Sequence, residues 1–123
     1  MTDPRRRTGK DGEDLAARYL RAHGFELLER NARTRYGELD IVARDGRALV
    51  FVEVKALRGH GRGRAEQALD SIGPRKRIQV RRLARAWLAE RPRRSSYAEI
   101  RFDAIGIALG AAAPEVVHIR AAF

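Results

Sequence analysis

The chain has 123 residues, a length that is typical of one domain and sufficient for a single hydrophobic core. Its 26 basic residues outnumber its 16 acidic ones, and the formal net charge of +10 favours a polyanionic partner. Because there is no cysteine, disulfides, thiolate metal sites and thiol nucleophiles are excluded.

The composition also bears on location and domain organisation. No apolar run approaches the roughly 20 residues of a membrane-spanning helix, and the first residues contain no apolar signal segment. We therefore expect a cytoplasmic protein with no membrane partner. Residues 1–8 are polar and basic and predict a flexible tail, followed by a single domain over residues 9–123.

The first half of the chain predicts one helix and three strands. A helical pattern covers residues 10–23, with Thr8 or Asp11 as its N-cap and Gly24 as the glycine beyond its end. An Asp-Gly pair, Asp45-Gly46, predicts a hairpin between the second and third strands. The three predicted strands are Phe25–Glu29, Tyr36–Ala43 and Ala48–Lys55.

The second half predicts a basic loop, a second helix and two strands. Residues 58–64 are rich in glycine and arginine, and a helical pattern then runs from Pro74 to Glu90, just before Pro92. Strands are expected at Ala98–Leu109 and Glu115–Ala121, separated by a turn over Gly110–Pro114. The order α-β-β-β-α-β-β indicates an α/β fold with a single mixed β-sheet flanked by helices.

Two ionisable residues occur at the end of the most apolar strand. Glu53 and Lys55 lie on one face by the two-residue period of a strand, whereas Val50, Val52 and Val54 lie on the other. Charged groups near a packed face cost several kcal/mol each unless they are paired or bind a metal. A salt bridge at an exposed strand end is one explanation, and a functional site is the other.

The partner strand of the hairpin adds more acids. Glu38 and Asp40 share a face, and counting back from the turn places Asp40 opposite Phe51 or Val50. The same count places Glu53 nearly opposite Glu38, and like charges in that arrangement destabilise a hairpin. Convergence of these three acids would require a cation.

The first helix contributes a further acid, Glu13, close to the apolar stripe that includes Ala16. Exposure or a favourable contact with the helix dipole would explain Glu13 alone. Together with Asp40, Glu53 and Lys55, however, it suggests a site for Mg²⁺ or Mn²⁺, which prefer oxygen ligands. Such an ion activates water and stabilises phosphoryl charge, and a lysine can orient the water.

These residues resemble a known family. The matching segments are Gly12-Glu13-Asp14, Arg30-Asn31, Gly37–Val42, Val50–Lys55, Lys76 and Arg101-Phe102-Asp103. They resemble the YraN-like family of uncharacterised bacterial proteins, within the PD-(D/E)xK, or restriction-endonuclease-like, nuclease superfamily. The resemblance runs from about residue 9 to residue 108.

The resemblance implies a nuclease-like fold and assigns roles to individual residues. Residues that match Asp40 and Glu53 bind the divalent metal, and the residue that matches Lys55 assists the attacking water. The residue that matches Glu13 completes the site from the first helix. Leu39 stands where the superfamily name has proline before the aspartate.

We therefore expect a metal-dependent endonuclease that hydrolyses DNA phosphodiester bonds and selects branched or junction structures. Glu38 is either an accessory ligand or the partner of an arginine, and Lys76 either reaches the site or lies beside the core. Asp103 with Arg101 is expected to form a structural pair. The arginines expected to hold the nucleic-acid backbone, which position without reading bases, are Arg58, Arg62, Arg64, Arg75, Arg81 and Arg82.

Two alternatives remain open. The chain could be a non-catalytic nucleic-acid-binding module with a nuclease-like fold, or a basic protein associated with RNA or the ribosome. DNA is favoured over RNA because the RNA reading leaves the acids unexplained. A homodimer would suit a two-fold junction, but no dimer face is readable from the sequence.

Overall fold

A five-stranded mixed sheet forms the centre of the molecule. The computed structural model describes residues 3–91, 97–110 and 113–123. The strands lie in the order β1-β2-β3-β4-β5; β3 and β4 are parallel and the other neighbours are antiparallel. They are β1 (Glu26–Thr34), β2 (Gly37–Asp45), β3 (Ala48–Arg58), β4 (Glu99–Leu109) and β5 (Glu115–Ile119). The predicted α/β class with one mixed sheet is confirmed, and the architecture is consistent with a nuclease-like fold.

The first helix, α1 (Pro4–Ala22), begins earlier than the sequence pattern predicted. Asp3 is its N-cap, and the Asp3 carboxylate accepts a hydrogen bond from the Arg5 amide at 2.9 Å. The predicted start near Lys10 is therefore wrong, because an aspartate followed by proline is a complete start signal. Residues 4–8 belong to the helix, while the first two residues of the expected tail lie outside the described residues.

Two helices, α2 (Arg64–Asp70) and α3 (Pro74–Glu90), connect β3 to β4. The sequence predicted only α3, because α2 has seven residues and buries only two alanines, Ala65 and Ala68. The helix packs so closely on β4 that a side chain at Gly106 would collide with the Ala65 carbonyl oxygen. The expected loop over residues 58–64 is correspondingly shorter.

Each face of the sheet is covered by a helix and forms its own apolar core. On one face α1 packs against alternate residues of β2, β3 and β4, including Ile41, Val50 and Ile105. On the other face α3 packs against Phe51, and Trp87 belongs to this core. Because both faces of β3 are covered, its first five residues are apolar and its ionisable residues lie from Glu53 onward.

The hairpin between β2 and β3 has a different register from the predicted one. Asp45 pairs directly with Ala48, so the loop consists of the two residues between them. Phe51 pairs with Val42, so the expected pairing of Asp40 with Phe51 is wrong by two residues and that with Val50 by three. A two-residue shift leaves every side chain on its original face, so the predicted approach of Asp40 to Glu53 is unaffected.

Most of the remaining strand predictions are confirmed, although β1 extends five residues beyond its predicted end at Glu29, to Thr34. The expected turn over Gly110–Pro114 and the predicted helix stop at Pro92 include residues outside the described ones. Within the described residues, none of the helices combines the length and apolar composition that crossing a bilayer requires.

Candidate active site

Two carboxyl groups come together where β2 and β3 separate. The antiparallel ladder ends at the pair Ile41–Val52, one residue before Asp40 and Glu53. The Val54 amide donates a hydrogen bond to Oδ2 of Asp40 at 2.9 Å, so a side chain takes the place of the strand partner. Glu53 is buried, with an exposed fraction of 7%. The shared acidic site that the sequence predicted is therefore centred on this pair.

The electrostatics of the Asp40–Glu53 pair are unfavourable to two negative charges. Burial and then the charge of Asp40 raise the pKa of Glu53 to about 8. Burial also raises the pKa of Asp40, although the Val54 amide opposes the shift. At neutral pH the pair holds a proton.

Lys76 supplies the nearest positive charge. Its Nζ lies 3.4 Å from Oε2 of Glu53, and its side chain is about half exposed, at 47%. Lys76 lies in the first turn of α3, which brings it to Glu53 in the middle of β3. Of the two alternatives, the structure favours the one in which Lys76 reaches the acidic pair.

Glu13 lies at the edge of the site and is held by its own partners. Arg30 Nη2 donates to Glu13 at 3.3 Å and to Asp14 at 2.6 Å. Burial and then the charge of Asp40 raise the pKa of Glu13, so the two carboxyls are within electrostatic reach. Arg30 therefore links Glu13 to Asp14 at the edge of the site.

The expected convergence of three acids on one cation is not observed. Within residues 3–91, 97–110 and 113–123, no three carboxyl, imidazole or thiol groups lie close enough to share a metal ion. Arg30 holds Glu13 away from a shared centre, and Glu38 pairs with Arg33 at 2.8 Å. Of the two explanations for Glu38, the arginine pair is confirmed.

Lys55 lies apart from the Asp40–Glu53 pair. Among the ion pairs of the described residues, Lys55 has no partner within 4 Å, so the simple strand-end salt bridge with Glu53 is not observed. Its side chain is exposed and borders a hollow of about 470 Å³ that Thr8, Arg58 and Arg64 also line. The two lysines of the region therefore differ, since Lys76 contacts the acids and Lys55 faces a basic hollow.

The arginines after β3 have structural partners. Arg58 pairs with Asp11 at 2.6 Å and bonds to Thr8, which ties the end of β3 to α1. Arg64 Nη2 donates to the Arg58 carbonyl oxygen at 2.7 Å. Arg62 is exposed in the loop between them.

The arginines of α3 lie on its solvent side. The Arg81 guanidinium lies 4.6 Å from the Phe102 ring centroid, and that of Arg82 lies 4.2 Å from the centroid of Tyr36. Arg75 is exposed in the first turn. The sequence analysis did not identify Tyr36 as a residue of this basic surface. The one indication in the sequence was its position in a turn, between Arg35 and Gly37.

The fold and the site together define an α/β protein with one mixed five-stranded sheet and a buried acidic pair. The chain belongs to the family described as uncharacterised protein family UPF0102, whose model matches residues 12–107. It is 49% identical over 116 residues to a UPF0102 protein of Frankia casuarinae, covering 94% of each chain. A UPF0102 protein of Rhodococcus opacus is 45% identical over 116 residues, again covering 94% of each chain. One of Syntrophotalea carbinolica is 46% identical over 123 residues, covering 100% of this chain and 96% of the relative.

Proposed function

We propose that the protein is a metal-dependent endonuclease that hydrolyses DNA phosphodiester bonds. The observation that supports this most directly is the buried Asp40–Glu53 pair, in which burial and like charge raise the pKa of Glu53 to about 8. A fold retains such a pair at a cost in stability, which is typical of functional sites. A divalent cation would compensate both charges at once.

The residues present fit Mg²⁺ or Mn²⁺. Magnesium keeps several water ligands and is usually held by one or two carboxylates, so it does not require three protein ligands. Asp40 and Glu53 would supply the carboxylates, and Glu13 would add negative charge at the edge of the site. Because a ligand must be deprotonated, cation binding would displace the proton that Glu53 holds.

The Val54 amide, Lys76 and Lys55 would each have a separate role in the reaction. When bound, the cation would lower the pKa of a water and polarise the phosphate. The Val54 amide fixes the orientation of the Asp40 carboxylate. Lys76, 3.4 Å from Glu53, and the exposed Lys55 would place positive charge beside a phosphodiester.

The net charge of +10 suits a DNA backbone as the substrate. Contacts from arginine to phosphate position a duplex without reading its sequence, so we expect selectivity for branched or junction structures. The logarithm of the affinity should fall against the logarithm of salt by about 0.9 per phosphate neutralised.

A second candidate is a non-catalytic nucleic-acid-binding module. Two observations favour it: Lys76 already pairs with Glu53, and among the ion pairs of the described residues Lys55 forms none with the acidic pair. In such a module the basic surface would bind DNA while the acidic pair stayed protonated.

Cleavage of a panel of substrates distinguishes the two. Linear, nicked, flap and junction DNAs and their RNA counterparts would be incubated with Mg²⁺, with Mn²⁺ or with EDTA. We expect metal-dependent cleavage of branched DNA that Asp40→Asn and Lys55→Ala each reduce at least about a hundredfold. Lys10→Ala, which removes an exposed lysine from α1, is the matched control and should cleave normally. Binding without cleavage by the wild type would establish the binding module instead.

A further inference from the structure

An exposed aromatic ring occurs in the turn between β1 and β2. Tyr36 is 42% exposed, although the turn itself is well anchored. The Tyr36 amide donates to Thr34 Oγ1 at 3.1 Å, and its carbonyl oxygen accepts from Gln79 Nε2 at 3.4 Å. The Arg35 amide donates to Glu90 Oε2 at 3.3 Å. The turn is thus fixed on α3 while its ring faces solvent.

Guanidinium groups surround this ring. Arg82 lies 4.2 Å and Arg35 lies 5.0 Å from the ring centroid of Tyr36. Arg85 also lines the hollow beside the ring, whose volume is about 580 Å³. The one carboxylate in this lining, that of Glu90, already accepts the Arg35 amide. The result is a concave basic surface with an aromatic ring in it.

We propose that this surface, formed by Tyr36, Arg35, Arg82 and Arg85, binds an unpaired segment of a nucleic-acid strand. A base stacks on the Tyr36 ring, displacing a guanidinium that then binds the adjacent phosphate. Stacking on aromatic rings combined with basic residues along the backbone is the physical basis of single-strand recognition. In a duplex the bases are stacked on one another, so none is free to stack on the Tyr36 ring.

The inference rests on the proposed function and specifies its substrate class. Arg82 and Arg85 lie on the same helix as Lys76, six and nine residues further along. At 1.5 Å per residue they are roughly 9 and 14 Å from it along the helix axis. A strand bound at Tyr36 therefore extends along α3 towards the acidic pair, so the substrate is DNA with a single-stranded arm, such as a flap or fork.

The test is equilibrium binding of the full chain in EDTA, where no cleavage occurs. Fluorescence anisotropy would compare a labelled oligothymidine with a duplex of equal length at fixed salt. Tyr36→Ala should weaken single-strand binding roughly 5- to 150-fold, the range expected for one lost base stack. It should change duplex binding less than about twofold, and Tyr36→Phe, which keeps the ring, should bind as the wild type does.

A second pair of variants tests whether the position of the positive charge matters. Arg82→Gln should weaken single-strand binding, whereas Arg47→Gln, an equal charge loss in the turn at the opposite end of β2, should not. Equal losses for single strand and duplex in Tyr36→Ala, or no loss in either, would overturn the inference. Thermal unfolding of each variant ensures that the compared proteins are folded. A wild type that cleaves nothing while showing the expected binding pattern refutes the proposed function and leaves this surface established.

Discussion

Two buried carboxyl groups of the same sheet, Asp103 of β4 and Asp40 of β2, have opposite environments. Asp103 is fully buried and accepts bonds from Arg101 at 2.8 and 3.0 Å and from His118 Nε2 at 2.8 Å. The Ala121 amide adds a fourth bond at 3.1 Å. These bonds outweigh the opposing effect of burial, so the pKa of Asp103 is lowered.

Asp40 accepts one backbone amide and faces a second acid. Burial dominates there, and the pKa values of both Asp40 and Glu53 are raised. Asp103, with its expected partner Arg101, is a satisfied structural ion pair. In the Asp40–Glu53 pair, by contrast, one half-exposed lysine, Lys76, faces two carboxyl groups, and a cation could compensate the remaining negative charge. Substitutions at either of these two sites test the contrast between them.

The largest effect on stability is expected at the satisfied site. Asp103→Asn leaves the Arg101 guanidinium without its buried counter-charge and should lower the free energy of unfolding by about 3–5 kcal/mol. Urea denaturation followed by circular dichroism measures this. Asp45→Asn, which affects a more exposed partner of Arg101, should cost about 1 kcal/mol or less. Equal losses of unfolding free energy in Asp103→Asn and Asp45→Asn would contradict the special role of Asp103 as the buried counter-charge.

The second effect is a pH dependence that originates in Glu53. The unfolded chain loses this proton near its ordinary pKa of 4.5 and the native protein near 8, so the native state binds more protons in between. The free energy of unfolding should therefore fall as the pH rises from about 4.5 to about 8 in metal-free buffer. Burial also raises the pKa values of Asp40 and Glu13, which act in the same direction.

Glu53→Gln tests that assignment. At pH 8 the variant should be more stable than the wild type, by an amount on the order of 1 kcal/mol or more, and near pH 5 the difference should vanish. Urea denaturation at several pH values between 5 and 8 gives the two curves. Parallel curves would show that Glu53 does not titrate as described.

The smallest effect concerns the two lysines. Lys76→Met removes the cation 3.4 Å from Glu53, so the pKa of Glu53 should rise further, while stability changes by about 0–1 kcal/mol because this pair is half exposed. Carbon-detected NMR titration of the glutamate carboxyl follows the pKa. Lys55→Met is the matched control and should leave it unchanged. A shift of similar size in both variants would place Lys55 at the acids as well.

The convergence of Asp40 and Glu53 was predictable, although the residues opposite them were not, because it depends on local rules. A two-residue period and a short Asp-Gly hairpin bring the two acids to one face, and this result survives a register error of two residues. The start of α1 was misplaced although Asp3 and Pro4 are adjacent in the sequence. Net basic composition had suggested a tail there.

Contacts between elements that are distant in the sequence were harder to predict from it. Lys76 could be placed on a helix face, but its position over Glu53 depends on how α3 crosses the sheet. The bond from His118 to Asp103 joins residues 15 positions apart on adjoining strands, and its formation depends on the β4–β5 register. The exposure of Tyr36 likewise depends on the packing of its turn against α3.

The central claim is that Asp40 and Glu53 hold a divalent cation, and isothermal titration of Mg²⁺ and Mn²⁺ at pH 8 tests it most directly. The account predicts one ion bound per chain by the wild type and by Glu38→Gln, which removes a neighbouring exposed acid. Asp40→Asn and Glu53→Gln should each weaken binding at least about tenfold. A wild type that binds no ion, or variants that bind as tightly as the wild type, would contradict the account.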